Sequence, residues 1–190
     1  MSSRRALWTA KLLGKASKRK PLLAMRAGFS GMILGIDPSL RGSGFGVLEV
    51  SESGAMRCVD SLTLKLSSRK SFVECLGEIF LTTERFFSQY NIKAVGLEET
   101  VYVQNFKVAH VLGSARGACL SAVALHGVPV KEFPPLRIKK AVVGVGQATK
   151  DQVGKMVMQI LKLSSVLPPD ESDAMAAALC YFFSLKSLID

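Results

Sequence analysis

Ile33-Leu34-Gly35-Ile36-Asp37-Pro38-Ser39 is the stretch on which the reading of the fold turns. It is a short apolar run that ends on a carboxylate, and a run of that length predicts a buried strand rather than a helix. Pro38 has no amide hydrogen and cannot continue a central strand. Asp37 therefore falls at the strand's carboxyl end, the edge at which open α/β sheets tend to bind their ligands. Leu40-Arg41-Gly42-Ser43-Gly44 has turn composition. Phe45-Gly46-Val47-Leu48-Glu49-Val50 then predicts a second strand, returning as a hairpin. One acid at a strand end has an ordinary reading as a cap or a solvated turn, so its meaning depends on what the rest of the chain brings to it.

Working outward, residues 56–66 predict a third strand, with Ser61, Thr63 and Lys65 alternating with Leu62, Leu64 and Leu66. Ser67 and Ser68 can cap a helix in which Phe72, Leu76, Ile79, Phe80, Phe87 and Tyr90 recur at helical spacing, a stripe that reads as core. Residues 92–97 form a fourth apolar strand ending on Glu98-Glu99. A long helix is expected over 106–125, with Val108, Val111, Leu112, Ala115, Cys119 and Val123 on apolar positions, and a short fifth strand over 128–133. Pro134-Pro135 breaks that strand and can open a helix. Thr149 and Gln152 have capping-box spacing ahead of another, and Pro168-Pro169 precedes a last helix over about 170–185. Three strands, then helix, strand, helix, strand and helices, describe an α/β fold: a mixed sheet with helices on its faces.

The chain has 190 residues, 48% of them hydrophobic, which suggests one domain with a sizeable core. No apolar run reads as long enough to span a membrane, and none is expected to be bound. Cys58, Cys75, Cys119 and Cys180 are scattered, without metal-ligand spacing, and read as small apolar residues in a reducing, cytoplasmic compartment. The formal charge of +10 is unevenly placed: residues 1–31 hold eight of the 25 basic residues and none of the 15 acids, leaving the remainder near neutrality. Residues 1–31 thus read as a separable basic extension, disordered or an artefact of start-site assignment, since Met32 directly precedes the first strand. Organelle targeting is an alternative, because transit peptides are also basic and acid-poor. Residues 32–190 form the domain proper.

Asp37 ends the first strand and Glu98 the fourth; if those strands are parallel neighbours, both acids emerge at one sheet edge. Glu99 must point to the opposite face by alternation. Asp170 and Asp173, three apart at a helix start, share a face, although acids in a first turn also serve the helix dipole with no further role. Four carboxylates from three segments, joined by no histidine or cysteine, suit hard cations such as Mg²⁺ or Mn²⁺. Two such ions, roughly 3.5–4 Å apart, can activate a water and stabilise the leaving oxygen of a phosphodiester.

With these residues in view, the sequence resembles the RuvC family of Holliday-junction resolvases, which have an RNase H-like fold. The resemblance spans about residues 32–183. It is carried by Ile33-Leu34-Gly35-Ile36-Asp37-Pro38, Gly44-Phe45-Gly46-Val47, Leu97-Glu98, Asn105, Leu112-Gly113-Ser114-Ala115-Arg116-Gly117, Val142-Val143-Gly144-Val145-Gly146 and Asp170-Glu171-Ser172-Asp173-Ala174. Their order and spacing are specific as a set. The resemblance implies a mixed five-stranded sheet, three strands antiparallel and two parallel, with helices on both faces. It implies that Asp37, Glu98, Asp170 and Asp173 are the catalytic acids holding Mg²⁺, with Mn²⁺ as a substitute and two ions per site, and that Lys139 and Lys150 act on substrate phosphate. The implied activity is paired, symmetric cleavage of four-way DNA junctions in recombination and repair, leaving 5′-phosphates. A branch-migration motor of the RuvA and RuvB type is an implied partner. Two departures stand out: Ser39 where the family usually has glycine, and Val101 at a position that often holds an aromatic.

Arg116, Tyr102 and Phe106 are further candidates for DNA contact, the arginine on phosphate and the rings as stackers close in sequence to the acids. His110 and His126 read as structural. Gly144-Val145-Gly146-Gln147-Ala148-Thr149 imitates a dinucleotide loop but lacks the third glycine, and reads as a turn leading Lys150 into a capped helix. Resolving a two-fold symmetric junction takes two matched cuts, which an isologous homodimer supplies. Ala109, Gly113, Gly117 and Ser121 recur every four residues as a smooth ridge suited to the dimer seam; the alternative is that this ridge packs on the protein's own sheet. Two other functional readings compete: a non-catalytic junction-binding module, and an actin-like or sugar-kinase-like phosphotransferase, which shares the opening strand, Gly-Ile-Asp and a glycine turn.

Overall fold

The computed structural model describes residues 28–99 and 105–186. Ten elements follow in order: β1 (Gly31–Asp37), β2 (Gly42–Val50), β3 (Met56–Lys65), α1 (Phe72–Gln89), β4 (Ile92–Glu98), α2 (Phe106–His126), β5 (Val130–Phe133), α3 (Pro135–Val143), α4 (Lys150–Leu161) and α5 (Pro169–Lys186). The strands form one sheet in the order β3-β2-β1-β4-β5. β1 pairs antiparallel with β2 and parallel with β4; β2–β3 is antiparallel and β4–β5 parallel. This is the expected mixed five-stranded sheet, three strands antiparallel and two parallel.

Alternation along the strands divides the core in two. Leu34 and Ile36 of β1, Phe45 and Val47 of β2, and Val95 and Leu97 of β4 face α1 and α2. Ile33 of β1, Leu48 and Val50 of β2, and Ala94 of β4 face α3, α4 and α5. Phe29 also packs against this second cluster, its ring 6.5 Å from that of Tyr181, so the folded body reaches back past Met32.

The second face is organised by α5, whose residues from Ala174 to Phe182 are all buried. The helix lies unusually close to the strands because three of them present glycine to it. A methyl group on Gly44, Gly35 or Gly96 would overlap the backbone carbonyl of Asp170, Ala174 or Ala177 respectively. Glycine inside a strand often marks such a close approach.

Two expectations need correcting. The inner face of α1 is centred on Cys75, Ile79, Thr82, Thr83 and Phe86; Phe87 and Tyr90 pack against that core as expected, while Phe72, Leu76 and Phe80 are half-buried. The buried Thr83 hydroxyl donates to the Ile79 carbonyl at 2.8 Å, which lets a polar residue sit in that face without cost. Second, α2 is long and apolar enough to cross a membrane by length and composition, although no such run was expected. Its inner residues Ala115, Cys119 and Val123 pack in the sheet core instead. The capping boxes at Ser71–Glu74 and Thr149–Gln152 fix the starts of α1 and α4.

Candidate active site

β1 and β4 run parallel with Ile36 opposite Leu97, so the residues that follow, Asp37 and Glu98, end adjacent strands at one edge of the sheet. Ile36 and Leu97 point toward α1 and α2; by alternation Asp37 and Glu98 point toward α5. Asp170 and Asp173 sit one turn apart at the start of that helix, seated on the sheet at Gly44. Burial raises the Asp37 carboxyl from its ordinary value to about 6, and Asp173 and Asp170 push it in the same direction. Burial likewise raises Glu98 to about 7, helped by Asp37 and Asp173. The four acids therefore form one electrostatic unit with more negative charge than its surroundings readily hold.

Lys150 answers part of that charge. Thr149 caps α4 so that Lys150 is its first residue, and its ammonium donates to Asp173 Oδ2 at 2.5 Å. That hydrogen bond raises the lysine pKa, and the fields of Asp37 and Glu98 add to it. Lys139, on α3, lies near enough to Glu98 to oppose its shift. Both lysines thus stand beside the acids, on the α5 face.

The carboxylates suit a divalent cation by their chemistry. All donors are oxygen, the preference of Mg²⁺ and Mn²⁺, and a dication would relieve the burial and mutual repulsion that raise Asp37 and Glu98 above the usual carboxylate range. Among the described residues no three His, Cys, Asp or Glu side chains stand at the spacing of a closed ligand set.

The other candidate residues are dispersed. Tyr102 lies outside the described residues. Phe106, at the start of α2, is 82% exposed; its ring stacks on His110, which stacks in turn on Phe72. His126 stacks on Phe87 at 4.0 Å and bonds Glu84, so neither histidine joins the acids. The Arg116 guanidinium is paired with Glu132 in a polar groove that also includes Glu99 and Gly113. It is not brought together with the four acids. Arg41, another basic residue near the first strand, spends its guanidinium on the carbonyls of Ser67 and Lys70, tying down the loop before α1.

Along α2, a methyl group on Gly113 or Gly117 would meet no atom within 4 Å. The inner face of the helix is Ala115, Cys119, Ala122 and Val123. The ridge of Ala109, Gly113, Gly117 and Ser121 therefore does not pack on the protein's own sheet.

Sequence reasoning passed over Glu171, Ser61 and Thr63. The Ser61 and Thr63 hydroxyls of β3 donate to the two carboxylate oxygens of Glu171, at 2.6 and 3.2 Å. The available signal was the period-two placement of two hydroxyl residues on a strand.

The family model described as Crossover junction endodeoxyribonuclease RuvC matches residues 33–181. The RuvC protein of Orientia tsutsugamushi (strain Boryong) is 39% identical over 147 residues, covering 77% of this chain and 92% of its own. That of Halorhodospira halophila is 41% identical over 149 residues, covering 78% and 88%. Among solved structures, T. thermophilus RuvC in complex with Holliday junction substrate superposes with a TM-score of 0.74 at 29% identity, covering 82% of this chain and 96% of that one.

Proposed function

The chain belongs to the RuvC family of crossover junction endodeoxyribonucleases, and from that membership we propose that it resolves four-way DNA junctions by paired phosphodiester hydrolysis at the Asp37, Glu98, Asp170 and Asp173 cluster. The observation that carries the reading is the placement of acids from β1, β4 and α5 at one sheet edge, with two of them raised toward neutrality. The family uses divalent metal; here the four carboxylates would hold it, as two Mg²⁺ ions with Mn²⁺ as a substitute. Bound ions supply water activation and charge neutralisation to the hydrolysis of a phosphodiester.

The protein's own side chains do the rest. Asp37 and Glu98, on a rigid sheet edge, fix one side of the site, and the first turn of α5 fixes the other. Lys139 and Lys150 attract the scissile phosphate; Lys150 exchanges Asp173 for a phosphate oxygen. The exposed Phe106 offers a face on which an unpaired base can stack. The products carry 5′-phosphates.

Incubation with a synthetic mobile junction tests this. With Mg²⁺ or Mn²⁺, paired nicks at symmetric positions with 5′-phosphate ends are expected, and none with EDTA. Absence of nicking across many junction sequences with either ion would sink the enzymatic reading.

Two matched cuts call for two sites related by symmetry. The proposed seam is the α2 ridge, outward-facing and flanked by exposed Val108 and Leu125. A Cβ at Gly117 meets no other element of the single chain, so Gly117→Leu is the substitution of choice. It is expected to stay folded, sediment as a monomer and nick without resolving. A dimer that still resolves junctions would move the seam elsewhere.

A further inference from the structure

We infer that Glu171 is a positioning residue: held by Ser61 and Thr63, it locks the first turn of α5 to β3 and so sets where Asp170 and Asp173 stand. The inference rests on the functional reading above, since it assigns those two acids to the metal.

Glu171 lies between the two acids in sequence but cannot share their direction. One helical step turns a side chain about 100° from its neighbour, so Asp170 and Asp173 share a face while Glu171 points aside. What it meets is β3, one of the two edge strands of the sheet. Ser61 and Thr63 are two residues apart, hence on one strand face. The residues between and beyond them, Leu62 and Leu64, pack into the opposite core. Each hydroxyl takes one oxygen of the carboxylate, Ser61 at 2.6 Å and Thr63 at 3.2 Å. A glutamate that merely favoured the helix dipole would need no such partners.

Two-point attachment does what one contact cannot. The seat of Asp170 on Gly44 sets the height of the helix above the sheet. The Glu171 carboxylate, bonded at both oxygens to a strand to one side, sets its rotation. Ser172 secures the entry to the turn: its amide bonds the Pro168 carbonyl at 2.9 Å and its hydroxyl the Leu167 carbonyl at 3.1 Å. Rotation of α5 would swing Asp170 and Asp173 together relative to Asp37 and Glu98, which are fixed to the sheet. The quantity that Glu171 controls is therefore metal affinity rather than the rate at saturating metal.

The test measures Mn²⁺ binding by calorimetry on the full chain, alongside cleavage as a function of Mg²⁺ and thermal melting. Glu171→Ala, and separately the pair Ser61→Ala with Thr63→Val, should each weaken Mn²⁺ binding about tenfold, the scale of lost outer partners at metal sites. Cleavage at saturating Mg²⁺ should stay within about twofold, since the loss falls on ion binding and not on the transition state. Glu171→Gln should restore binding close to the unaltered protein, because its amide oxygen and nitrogen can still pair with the two hydroxyls. Combining Glu171→Ala with the β3 pair should add nothing further, as expected of residues acting through one contact. Unchanged Mn²⁺ affinity in Glu171→Ala, or in the β3 pair, would overturn the inference, as would Glu171→Gln binding as weakly as Glu171→Ala. Failure of the unaltered protein to bind Mn²⁺ at all would overturn the functional reading itself, and this inference with it.

Discussion

Asp37→Asn is expected to lower junction cleavage by at least about a thousandfold, on the basis that metal-borne charge stabilisation contributes several kcal/mol, while junction binding is retained. The retained binding follows from sign: a carboxylate beside phosphate repels it, so removing one cannot weaken the attraction supplied by the lysines. The same substitution should stabilise the metal-free protein. The Asp37 carboxyl is raised in the folded state to about 6, by burial first and then by Asp173. A raised carboxyl contributes most to stability below its unfolded value, near pH 4, and that contribution is lost as pH rises through about 6. Asparagine has no charge to lose, so with EDTA at pH 8 the variant should be more stable by about 2 kcal/mol, discounting from ~1.4 kcal/mol per pKa unit. The difference should vanish near pH 4. Gel-based cleavage, mobility shift and urea melts at the two pH values check the three parts. A variant that cuts normally would remove Asp37 from the site.

Gly35→Ala should cost upwards of about 3 kcal/mol, above the usual range for an overpacked core. The added methyl would overlap the Ala174 carbonyl and crowd the Ala178 methyl. The carbonyl is helix backbone and cannot swing aside as a side chain would. β1 is the central strand, so the clash cannot be relieved at a sheet edge. The only escape is for α5 to lift, which also breaks its seats on Gly44 and Gly96 and carries Asp170 and Asp173 away from the strand ends. A cost of that size is a large part of a typical domain's stability, so the variant should melt far lower or accumulate insoluble. Gly77→Ala, on the exposed side of α1, is the control: its methyl meets no neighbouring element, and alanine gains up to about 1 kcal/mol over glycine in a helix. Equal melting of Gly35→Ala and the unaltered protein would contradict the seating of α5.

The strands were legible because each is an apolar or alternating run bounded by turn residues. The face of each acid then followed from alternation. Uniting Asp37 with Glu98 needed one assumption, that β1 and β4 are parallel neighbours, and the register with Ile36 opposite Leu97 supplies it. Less was legible wherever two distant segments meet. Glycine inside a strand can mark a close approach, but nothing local to Gly35, Gly44 or Gly96 says that one helix crosses all three. The Arg116–Glu132 and Glu171–Ser61 pairs join residues 16 and 110 apart, so each partner read alone looks like an ordinary surface residue. The rotation of α1 was misjudged because large half-buried rings and the fully buried Phe86 share one periodicity. On α2 the four-residue ridge was plain, yet periodicity alone cannot say whether such a ridge faces inward or outward.

Diffraction from crystals grown with Mn²⁺, collected for its anomalous signal, bears most directly on the central claim that these four carboxylates form one metal site. The expected map has manganese density bounded by Asp37, Glu98, Asp170 and Asp173, with the Lys150 ammonium moved off Asp173. Manganese bound elsewhere, with Lys150 still seated on Asp173 and no density among the four acids, would contradict it.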